Sequence, residues 1–262
     1  SEVCGAMFEA AVRDQRGRFV TGLKPSSFAI EEDGVPQSPD LVGMEAVPAT
    51  FVVLIDSSHS MTRRFGLVRT AAARLIGALR PIDRVIVAPF TREVGPLTGP
   101  TDDRETALGA IGSYTAAGGT AIADALWDLA RRIENVDGRH VLILITDGYD
   151  EHSQRSFDDA IEALQHAQTT VYVVGMGGVA GVSRVGERAV RRVAAETGGR
   201  AFFPGRMEEL SSVYDQLTLD AQNRYLVSYT PTNQQQDGSW RHVSIRTVVP
   251  EYAVVTRDGY FA

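Results

Sequence analysis

The stretch Phe51-Val52-Val53-Leu54-Ile55-Asp56-Ser57-Ser58-His59-Ser60-Met61 sets an unbroken apolar run directly against a cluster of oxygen-bearing side chains. A run of this kind, rich in β-branched residues, predicts a strand covered on both faces, as in the parallel sheets of α/β proteins. Downstream, apolar residues recur at helical spacing (Val68, Ala72, Leu75, Ile76, Leu79) before a second run, Val85 to Phe90. The alternation continues through Ala107 to Ile111, Ile122 to Ile133, the strand Val141 to Ile145, Phe157 to Leu164, the strand Val171 to Val174, Val190 to Ala195, Phe202-Phe203 and Leu210 to Leu217. The expectation is a doubly wound α/β domain, with a mostly parallel sheet and helices on both faces, over residues 47–219.

Outside that region the texture changes. Residues 1–46 carry short alternating stretches (Met7 to Asp14, Phe19-Val20, Phe28 to Ile30) punctuated by Gly17 and by Glu32-Asp33-Gly34. The same texture returns after residue 220 in Tyr225 to Tyr229, Trp240 to Val249 and Tyr252 to Val255. These read as short strands joined by tight turns. Neither flank alone has enough strands to cover a hydrophobic face, because isolated hairpins are marginal in water. Together they offer about six or seven, enough for a small antiparallel β-sandwich. The expectation is therefore a discontinuous β-sandwich domain, residues 1–46 and 220–262, with the α/β domain inserted in it. Two appendages packed on the α/β domain are the alternative. Trp240, Tyr225, Tyr229 and Tyr252 are expected to fill the sandwich core.

Composition removes several functions. The 26 basic and 33 acidic residues give a net charge of −7, which opposes binding to phosphate backbones and anionic membranes, so no nucleic-acid partner is expected. No apolar stretch approaches the ~20 residues of a bilayer span, so no membrane insertion is expected. The start Ser1-Glu2-Val3-Cys4 has neither the charged nor the apolar region of a signal segment. Lys24 is the only lysine, which leaves no phosphate-loop Lys-Ser/Thr pair. Cys4 is the only cysteine, so neither an internal disulfide nor a cysteine-based zinc site can form.

In an open α/β sheet, ligands sit at the carboxyl ends of the strands, which is where Asp56, Ser58 and Ser60 fall. Spaced two apart, they can turn one carboxylate and two hydroxyls to one side. Such oxygen donors suit Mg²⁺ or Mn²⁺ better than zinc, although Ser and Asp after a strand also serve as ordinary helix caps. The loop Tyr114-Thr-Ala-Ala-Gly-Gly-Thr120 ends in a hydroxyl just before an amphipathic helix, and the strand Val141 to Ile145 ends in Thr146-Asp147-Gly148. A second carboxylate thus appears on the same edge of the sheet as Asp56.

A strand ending in Asp-x-Ser-x-Ser, a later Gly-Gly-Thr loop and an apolar strand ending in Thr-Asp-Gly resemble the von Willebrand factor A domain and its metal-ion-dependent adhesion site. The resemblance covers about residues 48 to 218, and Ala194-Ala-Glu-Thr-Gly-Gly-Arg200 before a short aromatic strand is part of it. It implies a site for Mg²⁺ (or Mn²⁺, with Ca²⁺ possible) held by Asp56, Ser58, Ser60, Thr120 and Asp147. It also implies an open position for an Asp or Glu carboxylate from a protein ligand, because neutral hydroxyls leave the ion electron-poor. On this reading the chain is a non-enzymatic adhesion-type binding module, with no catalytic residues. The flanks resemble those of secreted bacterial proteins in which such a domain interrupts a small β-domain, which implies an extracytoplasmic or secreted location. The alternative function is a scaffold protein with a vestigial metal site that binds through its β-domain.

Rival motifs are weaker. Gly175-Met-Gly177-Gly178-Val-Ala180 formally fits a dinucleotide fingerprint but occurs late in the sheet, where a Gly-rich strand-to-helix connection is common. No Gly-x-Ser-x-Gly elbow exists, and Ser57, Ser58 and Ser60 have no placed histidine base. Aspartyl-phosphate chemistry at Asp56 would want an acid at position 58, which is serine. His59 reads as a rim residue, and His140, His152, His166 and His242 show no ligand spacing. Asp150 and Glu151 read as solvated loop acids. Arg63 and Arg64 read either as solvated or as an attraction for an acidic partner segment. Nothing in the sequence selects an oligomeric state.

Overall fold

The computed structural model describes residues 5–44, 48–147, 150–176, 184–206 and 209–262. Cys4, the boundary residues Ala46 and Val47, Gly148 and the Gly177-to-Ala180 part of the rival fingerprint lie outside them. The chain forms two compact units, Ser1–Ala46 with Asp220–Ala262, and Val47–Leu219.

Elements are numbered along the chain. The larger unit is built on a six-stranded sheet in the order β10 (Ala201–Phe202), β9 (Thr169–Gly175), β8 (Arg139–Thr146), β5 (Ala49–Asp56), β6 (Arg84–Phe90), β7 (Thr98–Thr101). Every pairing is parallel except β6 with β7, an antiparallel edge that the sequence pattern does not announce. All of β5 is buried, as an apolar strand in the middle of a helix-covered sheet must be. Period-two alternation splits its side chains between two cores. Val52 and Leu54, with Leu142, Leu144, Val171 and Val173, pack against α3 (Ile122–Ile133), α4 (Phe157–His166) and α5 (Arg184–Glu196). Phe51, Val53 and Ile55 are equally buried and point to the opposite face. There α1 (Phe65–Gly77) buries Val68, Ala72, Leu75 and Ile76. Arg74 of α1 pairs with Asp215 of α6 (Glu209–Gln222) at 2.7 Å.

Helix starts follow ordinary capping chemistry. Asp103 accepts from the amides of Glu105 and Thr106 at the head of α2 (Arg104–Ser113), and Ser156 with Asp159 forms a reciprocal capping box on α4. Other helix starts near the oxygen-rich loop depart from this. A 3-10 helix, His59–Arg64, intervenes between the oxygen-rich loop and α1. At the N-cap of α3 stands Ala121, which has no side-chain cap to offer.

The smaller unit holds two four-stranded antiparallel sheets with both termini in each. One runs β13 (Ala253–Val255), β1 (Ala6–Arg13), β11 (Tyr225–Tyr229), β4 (Pro39–Gly43); the other runs β14 (Gly259–Phe261), β12 (Trp240–Thr247), β2 (Phe28–Glu32), β3 (Val35–Gln37). Phe8, Val12, Tyr225, Val227 and Tyr229 of the first sheet meet Phe28, Ile30, Val243 and Ile245 of the second in one core. This is the expected sandwich, with more strands than the six or seven anticipated. Phe19-Val20 is not one of them, since Phe19 makes only an isolated bridge to Arg13. Asp33 and Gly34 both take positive φ (49° and 80°), the pattern of a two-residue type I′ turn between β2 and β3. The buried Glu32 carboxylate accepts hydrogen bonds from the hydroxyls of Tyr229 at 2.7 Å and Tyr260 at 3.0 Å. Trp240 departs from expectation. It is half-buried at the start of β12, edge-on to Phe261 at 4.8 Å, and outside the core cluster.

Candidate functional site

Parallel register brings the site together. Ile55 lies beside Ile145, so the next residues along, Asp56 and Thr146, leave the sheet side by side at its carboxyl edge. Both are 0% exposed, and the Thr146 hydroxyl donates to Asp56 Oδ2 at 2.6 Å. The other oxygen, Oδ1, accepts from the Ser58 amide at 2.9 Å, which folds the loop back under the carboxylate. That turn sets the Ser58 and Ser60 hydroxyls 2.9 Å apart. Ser58 is buried, whereas Ser60 and His59 are exposed at the mouth, so His59 occupies the rim position expected of it.

Three loops are stitched to one another by backbone bonds. The Ser57 carbonyl accepts from Ala117 at 2.7 Å, and the His59 amide donates to Gly118 at 3.0 Å, tying the Asp56 loop to the Gly-Gly-Thr loop. The Thr120 carbonyl then accepts from both Glu151 and His152, at 3.0 and 3.1 Å, tying that loop to the segment after Asp147. The two glycines have separate reasons. Gly118 has φ +77°, a conformation that other residues avoid. A Cβ on Gly119 would lie 2.2 Å from Cδ2 of His152, whose ring packs on the loop. Thr120 and Asp147 are 3% and 1% exposed.

The two carboxylates differ in environment. Burial pushes the Asp56 carboxyl above its ordinary value, the bonds from Thr146 and Ser58 pull it back, and the nearby charge of Asp147 adds to the rise. One oxygen of Asp147, Oδ2, lies 3.3 Å from a guanidinium nitrogen of Arg64. Its other oxygen, Oδ1, is buried without a hydrogen-bond partner among the described residues. Such an orphaned acceptor is costly unless something that carries positive charge or donates a bond reaches it.

Among the described residues no group of three or more His, Cys, Asp or Glu could hold a metal. The donors brought together are the neighbouring carboxylates of Asp56 and Asp147 and the paired hydroxyls of Ser58 and Ser60, oxygens of the kind that suit Mg²⁺ or Mn²⁺. The orphaned Asp147 oxygen and the paired serine hydroxyls are what such an ion would satisfy.

Two residues that hold the site together escape a linear reading. Thr146 is one, legible only from strand register. Asp150 is the other, and it corrects the expectation of a solvated acid. Its oxygens accept from the Ala123 amide at the head of α3 and from the Ser153 amide, both at 3.2 Å. Ser153 Oγ accepts from the Asp124 amide at 3.2 Å, and Asp124 in return accepts from the amides of Gln154 and Arg155, each at 2.9 Å. The α3 amides left open by Ala121 are thus capped in trans by the loop behind Asp147. The sequence signal for this was the missing cap. Glu151 is exposed, as expected.

The sequence profile of the von Willebrand factor type A domain matches residues 51–216. No curated protein sequence matches the chain. Among solved structures, the von Willebrand factor type A protein from Catenulispora acidiphila is 16% identical and covers 98% of this chain and 75% of its own, with TM-score 0.57. Proximal thread matrix protein 1 from the mussel byssus, described with a zinc-occupied MIDAS motif, is 18% identical and covers 72% of this chain, with TM-score 0.58. This chain spans 49% of that protein. An aerotolerance-related membrane protein from Bacteroides fragilis is 19% identical over 65% of this chain and 98% of its own, with TM-score 0.54. At these identities the likeness is one of fold.

Proposed function

This chain belongs to the von Willebrand factor type A domain family, and from that premise we propose that it is a non-enzymatic, divalent-cation-dependent protein-binding module. Asp56, Ser58, Ser60, Thr120 and Asp147 hold the ion, Mg²⁺ or Mn²⁺ with Ca²⁺ as a further candidate, and an Asp or Glu of a partner protein completes the site. When bound, the ion supplies an electrophilic position for that carboxylate. The chain's own residues do the rest. Thr146 and the Ser58 amide orient Asp56, the two serine hydroxyls and Thr120 offer neutral donors, and Asp147 adds the second charge. With only two carboxylates among these donors, the site leaves room for an anionic ligand. The observation that supports this reading is the Oδ1 of Asp147, buried and without a hydrogen-bond partner among the described residues, on the same sheet edge as the carboxylate of Asp56 and the hydroxyls of Ser58 and Ser60.

An extracytoplasmic location is part of the proposal. It is supported by the descriptions of two fold neighbours as a membrane protein and a byssal matrix protein. No helix among the described residues is long and apolar enough to cross a membrane.

The test is retention of the protein on immobilised Asp- and Glu-containing peptides in Mg²⁺ and in chelator. Retention that disappears in chelator and in folded Asp56→Ala and Thr120→Ala variants is expected. Retention that survives all three sinks the reading in favour of a scaffold that binds through its β-domain.

A further inference from the structure

Arg64 closes the 3-10 helix after the Asp56 loop and stands at the N-cap of α1. Its side chain is 30% exposed, and a guanidinium nitrogen lies 3.3 Å from Asp147 Oδ2. It is a cation on one of the two carboxylates through which the site would hold an ion, and it engages one oxygen of that carboxylate, leaving Oδ1 without a partner among the described residues. A half-satisfied, nearly fully buried carboxylate facing a partly exposed guanidinium is an arrangement in which one cation can be exchanged for another. Two positive groups cannot share Asp147 without repulsion, because a divalent ion and a guanidinium a few ångströms apart repel strongly in a partly desolvated site.

We propose that Arg64 is a resident counter-cation of the metal-free site: it holds Asp147 in place when no ion is present, and it sets the metal affinity low by competing for that carboxylate. This deepens the proposed function and rests on it. Occupancy would then be a cation exchange: Asp147 would give up its pairing with Arg64, and the guanidinium would turn toward the exposed rim. Arg63, exposed on the same 3-10 turn, is the internal control.

The experiment is titration of Mn²⁺ alone into the chelator-stripped full chain, read by the loss of the free-ion magnetic resonance signal, with melting in chelator as a second readout. Arg64→Gln is expected to bind Mn²⁺ about tenfold more tightly than the unmutated chain, a ratio that corresponds to ~1.4 kcal/mol. It should also melt lower in chelator, because Asp147 loses its counter-charge. Arg64→Lys, which keeps the charge, should stay near the unmutated affinity, as should Arg63→Gln. Equal or weaker binding by Arg64→Gln, with binding abolished in Asp56→Ala, overturns the counter-cation and leaves the metal site standing. Absence of binding in both the unmutated chain and Arg64→Gln overturns the metal site and this inference with it. Binding that emerges only in Arg64→Gln supports the exchange in its strongest form.

Discussion

Replacing Thr146 by valine removes one hydroxyl and little else, since both side chains are β-branched and similar in size. That hydroxyl donates to Asp56 Oδ2 at 2.6 Å in a position where both residues are wholly buried. A hydrogen bond to a charged group contributes ~1.5–3 kcal/mol, and valine offers no donor in place of the lost hydroxyl. Taking ~2 kcal/mol, and ~2–4 °C per kcal/mol for a unit of this size, the α/β unit should melt about 4–8 °C lower in chelator. The same bond opposes the effect of burial on Asp56, so its loss should raise that carboxyl further and weaken Mg²⁺ binding near neutral pH. Thr146→Ser keeps the donor and should recover most of both effects. The assay is calorimetric melting with and without Mg²⁺ for the three proteins. A valine variant that melts within ~1 °C of the unmutated chain, or a serine variant as unstable as valine, refutes the claim that Thr146 supports Asp56.

Other consequences are equally direct. Asp150→Ala uncovers two amides, those of Ala123 and Ser153, and should cost ~1–2 kcal/mol in denaturant unfolding, with Asp150→Asn recovering part of it. Gly119→Ala places a Cβ against the His152 ring and should lower stability, while Gly119→Ala combined with His152→Ala should be milder than the sum of the two, a coupling readable from a double-mutant cycle. Burial first, and then the bond to Glu32, pushes the Tyr260 hydroxyl from 10.0 up to about 12. A group whose folded-state pKa is raised contributes stability below its unfolded value and loses it as pH climbs to the folded one, so the urea midpoint should fall between about pH 10 and 12 and fall less in Tyr260→Phe.

Much of the fold is legible because the signals are periodic. Phe51 to Ile55, Val141 to Ile145 and Val171 to Val174 are unbroken apolar runs, and unbroken runs place strands in the covered middle of a sheet, where β5, β8 and β9 lie. The antiparallel edge strand β7 is different: Thr98-Gly-Pro-Thr101 has no apolar run, and its pairing with β6 is tertiary. In the β-sandwich, Asp33-Gly34 announces its turn through backbone preference, whereas the short strands β3 and β4 carry too few apolar residues to register. Trp240 shows the limit of assigning aromatics to a core by residue type, since the end of a strand leaves a ring half-covered.

The site divides the same way. Asp56, Ser58, Ser60, Thr120 and Asp147 stand out because oxygen donors follow strand ends and precede helices, positions with local markers. Thr146, Asp150 and Arg64 do not stand out, because what matters about them is a partner elsewhere in the chain: a neighbouring strand for Thr146, the uncapped head of α3 for Asp150, and a loop more than eighty residues away for Arg64, whose bond to Asp147 spans a separation of 83. An alanine at an N-cap is a small irregularity in sequence, yet it leaves the head of α3 open to the loop behind Asp147, whose Asp150 caps it.

The most direct test of the central claim is calorimetric titration of Mg²⁺ and of Mn²⁺ into chelator-stripped protein, run beside Asp56→Ala. The account predicts saturable binding of one ion per chain that raises the melting temperature and vanishes in the variant, since a ligand bound only by the folded state stabilises it. No saturable binding at millimolar metal, or binding unchanged in Asp56→Ala, would contradict it.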